Sequence, residues 1–183
     1  MSRSEIRIAG AGGQGVVTAG RILAEAAILC GRDSTHSQVY GPQARGGASR
    51  SDVVIATEAI GFPLADAIDL LVVLSSEAYL RYQPELGEHG RLIVDEECAR
   101  EFLDGEPSNG DVRVYPVVET ARSISGGQLI AGVITLGVLQ ALTDVVDAEA
   151  LCQAVATGVP AKHKELNLKA LEAGTQLVVS ARR

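Results

Sequence analysis

Two glycine-rich segments contain the residues of this chain that could do chemistry. The first follows a short alternating apolar run and reads Gly-Ala-Gly-Gly-Gln-Gly over residues 10–15. Gly10, Gly12 and Gly15 have the spacing at which glycines permit a tight turn between a strand and a helix, where free backbone N–H groups attract a phosphate. The segment therefore predicts either a site for a phosphate-bearing ligand or a turn packed closely against a neighbour.

The second segment covers residues 41–47 and contains one cation, Arg45, directly before Gly46 and Gly47. A guanidinium presents a planar fork to a carboxylate or a phosphate, and the flanking glycines could offer backbone N–H groups to the same anion. The alternative is a solvated arginine in a surface ion pair. The glycine-rich setting favours an anion-binding role for Arg45.

A nicotinamide or flavin dinucleotide is the ligand that the first glycine spacing suggests. Such a site needs an acidic residue at the end of the second strand, roughly 20 residues further on, to bind the ribose hydroxyl. Asp33 lies at about that distance, but it precedes the expected second strand, whose end carries residues 38–40. The misplaced acid argues against a dinucleotide site, although a free-standing dinucleotide-binding protein stays open as an alternative.

No catalytic constellation accompanies the two segments. The three histidines are far apart in sequence and have no paired acid or nucleophile. Cys30, Cys98 and Cys152 form no C-x-x-C pair, whereas iron–sulfur clusters and structural zinc need clustered thiolates. We therefore expect no catalytic residue and no metal site in this chain, and we expect any metal cluster to lie in another chain.

Composition and charge limit the possible partners. The 183 residues are 46% hydrophobic and carry a net charge of −7, so the chain can bury a core but is a poor partner for nucleic acid or an anionic membrane. Residues 129–142 are apolar but shorter than the roughly 20 residues of a membrane-spanning helix. They indicate a buried helix, either inside the domain or against a partner. An N-terminus without an apolar signal segment predicts a cytoplasmic protein.

Strands and helices alternate along the chain. The continuous apolar run at residues 69–74 has the length of a strand buried on both faces, which predicts the middle of a sheet. Further strands are expected at residues 6–9, 52–56, 91–95 and 112–118, and helices from Val16, from Glu77, over residues 148–156, and from Pro160 to a stop at Gly174. This pattern predicts an α/β fold with one domain over residues 1–183. Its mostly parallel, Rossmann-like sheet is flanked by helices, and a helical extension lies at the C-terminus.

The two glycine-rich segments are also specific as a pair. Residues 10–16 read Gly-Ala-Gly-Gly-Gln-Gly-Val, and residues 38–51 read Gln-Val-Tyr-Gly-Pro-Gln-Ala-Arg-Gly-Gly-Ala-Ser-Arg-Ser. Together they resemble the gamma subunit of 2-oxoacid:ferredoxin oxidoreductases. Residues 69–75 and 159–174 also look like that family, so the resemblance covers nearly the whole chain.

Within the family, the chain is most similar to the gamma subunit of 2-oxoglutarate:ferredoxin oxidoreductase. Val39 and Gln43 stand where that gamma subunit usually has serine and glutamate. The beta subunit of indolepyruvate:ferredoxin oxidoreductase is an alternative, since it shares the glycine turn and an Arg-Gly-Gly loop. The context of residues 40–42 resembles it less.

The resemblance implies a complex that oxidatively decarboxylates a 2-oxoacid with coenzyme A, giving an acyl-CoA, carbon dioxide and reduced ferredoxin. It implies that thiamine diphosphate and the iron–sulfur clusters are bound by partner subunits of thiamine-binding and ferredoxin type, with ferredoxin as the electron acceptor. The isolated chain is then expected to be inactive and could form a homodimer.

The resemblance also suggests which residues of this chain assist the reaction. We expect the loop of Arg45, with Tyr40 and Arg50, to face the thiamine-binding subunits and to help form the route by which coenzyme A reaches the active site. The glycine turn would either contact the coenzyme A phosphates or simply pack tightly. The expected cofactor-binding residues are Gly10, Gly12, Gly13, Gln14, Gly15, Tyr40, Arg45, Gly46, Gly47 and Arg50.

Overall fold

A computed structural model of the chain describes residues 3–39, 47–102 and 111–181. The strands within these ranges are β1 (Arg3–Ala11), β2 (Asp33–Val39), β3 (Ala48–Ala56), β4 (Ile68–Val73), β5 (Leu86–Asp95) and β6 (Val112–Tyr115). They form one sheet in the order β2-β3-β1-β4-β5-β6. β1, β4, β5 and β6 run parallel, while β3 is antiparallel to both of its neighbours. The predicted mostly parallel sheet is confirmed, and the apolar β4 lies in its middle, between β1 and β5.

The helices connect and cover these strands. They are α1 (Val16–Leu29), α2 (Ser76–Tyr82), α3 (Glu96–Phe102), α4 (Val117–Ser125), α5 (Ala131–Leu142), α6 (Ala148–Gly158) and α7 (Lys164–Ala181), with short 3₁₀ turns at Gln83–Glu85 and Ala161–His163. α6 and α7 are the predicted C-terminal helical extension. Among the described residues, no helix is both long enough and apolar enough to cross a membrane.

The sheet has two differently covered faces. The first face packs against α1 and α5, with α4, α6 and α7 outside them, and its core includes Ile8, Val53 and Val72. The second face packs against α2 and α3, and its core includes Leu71 and Val94. Because alternate residues of a strand point to opposite faces, β1, β3, β4 and β5 each contribute buried residues to both cores.

The uncharged helix α5 lies inside the protein, as one of the two alternatives predicted. Every residue from Ala131 to Leu139 is buried. α5 packs closely on α7, because a Cβ atom on Gly137 would lie 2.1 Å from the carbonyl oxygen of Leu171. A Cβ atom on Gly174 would likewise lie 2.0 Å from the carbonyl oxygen of Ile134. The predicted helix stop at Gly174 is therefore wrong, since this glycine permits a close helix contact in the middle of α7.

The predicted strand over residues 112–118 is correct only in its first half. β6 ends at Tyr115, and Val117 begins α4. The carboxylate of Asp95, at the end of β5, accepts a hydrogen bond from the backbone N–H of Val118 at 2.8 Å. The N–H groups in the first turn of a helix have no partner inside the helix. Asp95, 23 residues earlier in the chain, supplies the acceptor for the N–H group of Val118.

Candidate functional site

The glycine turn lies where the strand order of the sheet reverses. From β1 the chain passes through α1 to β2 and β3 on one side, whereas β4 lies on the other side of β1. In open α/β sheets, the crevice at the carboxyl ends of strands beside such a reversal is the usual ligand site. Residues 12–15 follow β1 directly at this place.

The side chain of Gln14 fills this crevice between β1 and β4. Gln14 is 3% exposed, and its Nε2 donates to the carbonyl oxygen of Leu74 at 3.0 Å. Its Oε1 accepts from the backbone N–H of Ala11 at 2.7 Å. A Cβ atom on Gly10 would lie only 2.4 Å from this Oε1 atom. Gly10 is therefore required to seat Gln14, whose side chain occupies this crevice.

The start of α5 closes the turn from the other side. The backbone N–H of Gly132 donates to the carbonyl oxygen of Gln14 at 2.8 Å. A Cβ atom on Gly15 would lie 2.3 Å from the carbonyl oxygen of Leu129, and one on Gly132 would lie 2.5 Å from that of Gly15. Gly15 also has a φ of 73°, which favours glycine. Two of the three motif glycines, Gly10 and Gly15, thus serve close packing.

The middle of the turn is open. Gly12 and Gly13 are exposed, and a Cβ atom on either would have no described atom within 4 Å. Gly13 has a φ of 90°, a backbone conformation that only glycine adopts readily. Gly12 and Gly13 therefore form the half of the turn that a phosphate or a partner chain can approach.

The described residues that flank the two glycine-rich segments lie at the same end of the sheet. β3 begins directly after the second segment, and its first residue, Ala48, pairs with Ala11 at the end of β1. On the other side, Val39 at the end of β2 pairs with Arg50. Tyr40, Arg45 and Gly46 lie outside the described residues, and so do residues 41–44. Gly47 is described and has a φ of 98°.

Arg50 belongs to a cluster of charges on the second face. Its Nε lies 3.5 Å from Asp52 Oδ2, and its Nη1 lies 3.5 Å from Glu85 Oε2. Its guanidinium carbon is also 5.5 Å from the ring centroid of the buried Tyr82. This cation is thus engaged by two carboxylates and an aromatic ring, which limits its capacity to bind a further anion.

Arg7 forms the buried centre of the same cluster. It is 2% exposed and donates to both carboxylate oxygens of Asp52, at 2.7 and 3.0 Å, and also to Glu85. Burial lowers the pKa of Arg7, but the hydrogen bonds and charges of Asp52 and Glu85 outweigh it, and the pKa is raised. The sequence offered a signal for this cluster, since Arg7 interrupts an apolar strand between Ile6 and Ile8.

The histidines and cysteines form no reactive centre in the described ranges. His36 Nε2 lies 2.6 Å from the hydroxyl oxygen of the fully buried Ser51. Burial, together with the charge of Arg21, lowers the pKa of His36. Burial also raises the pKa of the Cys98 thiol to about 12, which makes it unreactive. No cluster of three or more potential metal ligands occurs among the described residues.

The comparisons with known proteins agree with the resemblance read from the two segments. The family model described as pyruvate ferredoxin/flavodoxin oxidoreductase matches residues 5–177. The chain therefore belongs to this family.

Two curated relatives span nearly the same length as this chain. The 2-oxoglutarate synthase subunit KorC of Methanothermobacter marburgensis is 38% identical, over 99% of this chain and 100% of the relative. The indolepyruvate oxidoreductase subunit IorB of Archaeoglobus fulgidus is 26% identical, over 98% of each chain. The predicted order of similarity, with the 2-oxoglutarate type ahead of the indolepyruvate type, is confirmed.

Two solved structures share the fold. The keto/oxoacid ferredoxin oxidoreductase gamma subunit of Geobacter sulfurreducens has a TM-score of 0.84 and 39% identity, covering 99% of each chain. The 2-oxoglutarate:ferredoxin oxidoreductase of Magnetococcus marinus, solved with 2-oxoglutarate, coenzyme A and succinyl-CoA, has a TM-score of 0.86 at 21% identity. This chain matches 32% of the Magnetococcus chain. The predicted gamma-subunit fold is confirmed.

Proposed function

We propose that this chain is the gamma-type subunit of a 2-oxoglutarate:ferredoxin oxidoreductase. The complex would convert 2-oxoglutarate and coenzyme A to succinyl-CoA and carbon dioxide, and would pass two electrons to ferredoxin. Similarity to the KorC subunit along the whole chain supports 2-oxoglutarate as the substrate. The lower identity of the IorB subunit disfavours indolepyruvate.

The single observation that carries the proposed role is the pairing of Ala11 with Ala48. It brings the ends of both signature segments to one end of the sheet, beside the open glycines Gly12 and Gly13. Backbone N–H groups at such a turn suit a phosphate, so the described residues fit one phosphate group of coenzyme A. The thiol of coenzyme A would accept the acyl group in a site built by other subunits.

Thiamine diphosphate and iron–sulfur clusters are assigned to partner subunits. The described residues supply no metal-binding cluster, and the scattered cysteines of the whole sequence do not suit one. Under this proposal the partners are thiamine-binding and ferredoxin-type subunits, and this chain assembles the active site and gives coenzyme A access to it. Its location in the cytoplasm, the inactivity of the isolated chain and its homodimer remain predictions.

A dinucleotide-binding role has less support. Gln14 fills the crevice beside β1, and the strand next to β1 on the β2 side is the antiparallel β3. Asp33 therefore begins an edge strand that is two places from β1 rather than adjacent to it. Titrating the purified chain with a flavin and with NAD should show no saturable binding at micromolar concentration.

Arg45→Ala in the assembled complex tests the proposal. The chain and its candidate partner subunits are co-expressed, and ferredoxin reduction is followed with 2-oxoglutarate, pyruvate and indolepyruvate as substrates. We expect 2-oxoglutarate to be preferred, and we expect Arg45→Ala to raise the KM for coenzyme A about tenfold, as for one lost charged contact of about 1.4 kcal/mol.

Arg100→Ala is the matched control, because Arg100 is exposed on α3 and its ion pair within the described ranges is with Glu96. Its kinetics should equal those of the wild type. Normal coenzyme A kinetics of Arg45→Ala in an intact complex would exclude the Arg45 loop from coenzyme A access. Preference for another 2-oxoacid would instead overturn the substrate assignment.

A further inference from the structure

The segment between β3 and β4, residues 57–67, is exposed but held in place by side chains. We call it the 57–67 loop. Most of its residues are exposed, and it has no regular secondary structure. Phe62 is 56% exposed and Leu64 is 51% exposed. Phe62 is one of only two phenylalanines in the sequence, so its position at the surface is unusual for this chain.

Three consecutive carbonyl groups of the loop are bound by side chains from the sheet. Arg3 donates from Nη1 to the carbonyl oxygen of Phe62 at 3.0 Å and from Nη2 to that of Leu64 at 3.1 Å. Thr35 donates from its hydroxyl group to the carbonyl oxygen of Pro63 at 2.6 Å. Hydrogen bonds from Arg3 on β1 and Thr35 on β2 therefore fix the backbone that carries Phe62 and Leu64.

Glu5 fixes the end of the loop. This buried glutamate accepts hydrogen bonds at Oε2 from the backbone N–H groups of Asp66 and Ala67, the latter at 2.8 Å. Its Oε1 accepts from Arg3 Nε at 2.7 Å. Arg3 and Glu5 thus neutralise each other while both hold the loop. The buried Glu5 and the partly exposed Arg3 thus hold a loop whose apolar side chains face solvent.

This arrangement suits a binding surface better than a simple connection. Aromatic and aliphatic anchors on a rigid backbone lose little conformational entropy on association, so they contribute strongly to binding. The charges of the loop itself are both acidic, Glu58 and Asp66, and both residues are exposed. An apolar pair that is flanked along the loop by acidic residues matches an apolar pocket with a basic border.

We propose that the 57–67 loop is a docking element whose Phe62 and Leu64 enter a basic-rimmed apolar pocket on another subunit of the same complex. This inference rests on the proposed function, because that function supplies the partner subunits. A second copy of this chain suits the loop less well, since each copy carries a net charge of −7.

Photo-cross-linking tests the identity of the occupant. A benzophenone amino acid replaces Phe62 in the co-expressed complex, and the cross-linked peptides are identified by mass spectrometry. The expected products join position 62 to one other subunit, at apolar residues flanked by lysine or arginine. The same probe at Ile28, which is 60% exposed at the end of α1, serves as the control. Products confined to a second copy of this chain, or absent from an intact complex, overturn the proposal.

The double variant Phe62→Ser/Leu64→Ser tests the energetic contribution. We expect its affinity for the partner subunits to fall at least tenfold, with an unchanged urea midpoint of the isolated chain. Ile28→Ser/Leu29→Ser, which changes another exposed apolar pair, should retain wild-type affinity. Unchanged affinity of the loop variant in an active complex overturns the docking element alone. A wild-type chain that binds none of these subunits overturns the proposed function as well.

Discussion

The two faces of the sheet use the same strands but are stabilised in different ways. On the first face, β1 contributes Ile6 and Ile8, which pack with α1 and α5 in an apolar core. On the second face, the neighbouring positions of β1 carry Glu5 and Arg7, and both are buried. The first face is therefore stabilised by apolar burial. The part of the second face around β1 depends instead on buried charges that are paired with opposite charges.

The two faces therefore have different roles. The apolar face stabilises the fold, whereas the charged face positions the loops. The charged residues of β1 make directional side-chain contacts. Glu5 holds the 57–67 loop, and Arg7 binds Asp52 on the neighbouring strand β3 and Glu85 outside the strands. The first face also contains a hydrogen bond, between His36 and Ser51, but its core is packed from apolar side chains. We infer that the second face sets the geometry of the surface, so substitutions on the two faces should have different consequences.

Arg7→Met should have the largest effect, because in the described part of the chain it leaves the buried Asp52 with only the more distant Arg50 as an ion-pair partner. We expect the free energy of unfolding to fall by about 3–5 kcal/mol, the usual result of breaking a buried ion pair. Urea denaturation at pH 7 measures this change. The double variant Arg7→Met/Asp52→Leu removes both charges and should recover most of the loss. A single variant that costs under about 1 kcal/mol would mean that the second face does not depend on this pair.

Gly174→Ala tests the close packing behind the first face. A Cβ atom at this position would lie 2.0 Å from the carbonyl oxygen of Ile134, so α5 and α7 must separate. We expect a loss of about 2–3 kcal/mol despite the better helix propensity of alanine. Gly127→Ala is the control, because a Cβ atom there meets no described atom within 4 Å. Similar urea midpoints for both variants would show that the helix pair tolerates separation.

Asp95→Asn should have a smaller effect that depends on pH. The buried carboxylate of Asp95 accepts from the backbone N–H of Glu97 at 3.0 Å and of Val118 at 2.8 Å, and so joins α3 on the second face to α4 on the first. An asparagine has only one acceptor oxygen, and one of these bonds should be lost, at a cost of about 1–2 kcal/mol.

The sign of the pH dependence follows from the pKa of Asp95. Burial raises this pKa above its ordinary value of 3.8, so the folded state holds the proton more tightly than the unfolded state. The contribution of Asp95 to stability is then largest below pH 3.8 and is lost as the pH rises through the folded pKa. Unfolding measurements from pH 4 upward should show the difference between wild type and Asp95→Asn narrowing. A widening difference would show that the two N–H bonds outweigh burial.

Local sequence patterns were sufficient to predict the elements whose residues are nearly all buried. Residues 70–73 of β4 and residues 131–139 of α5 are all buried, and both elements are predicted as buried from the sequence. Val117 and Val118 belong to the strand predicted over residues 112–118, since branched residues favour strands. They begin a helix whose N-terminus is bound by Asp95, 23 residues before Val118. A cap from so far away leaves no local pattern.

The candidate site was predictable in its motif but not in its contacts. The glycine turn was found from its spacing, but the side chain of Gln14 bonds to Leu74, which is 60 residues away. Gly174 was read as a helix stop, because a glycine required by a neighbouring helix looks the same in sequence as one that ends a helix. For Tyr40, Arg45 and Gly46, which lie outside the described residues, the proposed roles remain predictions.

The bond from Gly132 to Gln14 also has a consequence for the synthesis of the chain. Proteins emerge from the ribosome with the N-terminus first, yet β1 lies in the middle of the sheet between two later strands. The two edges of β1 cannot both be paired until β3 and β4 have been translated, and the glycine turn lacks its bond to α5 until residue 132 has emerged. Most of the polypeptide must therefore be made before its first strand is protected, and over that interval we expect the nascent chain to depend most on chaperones.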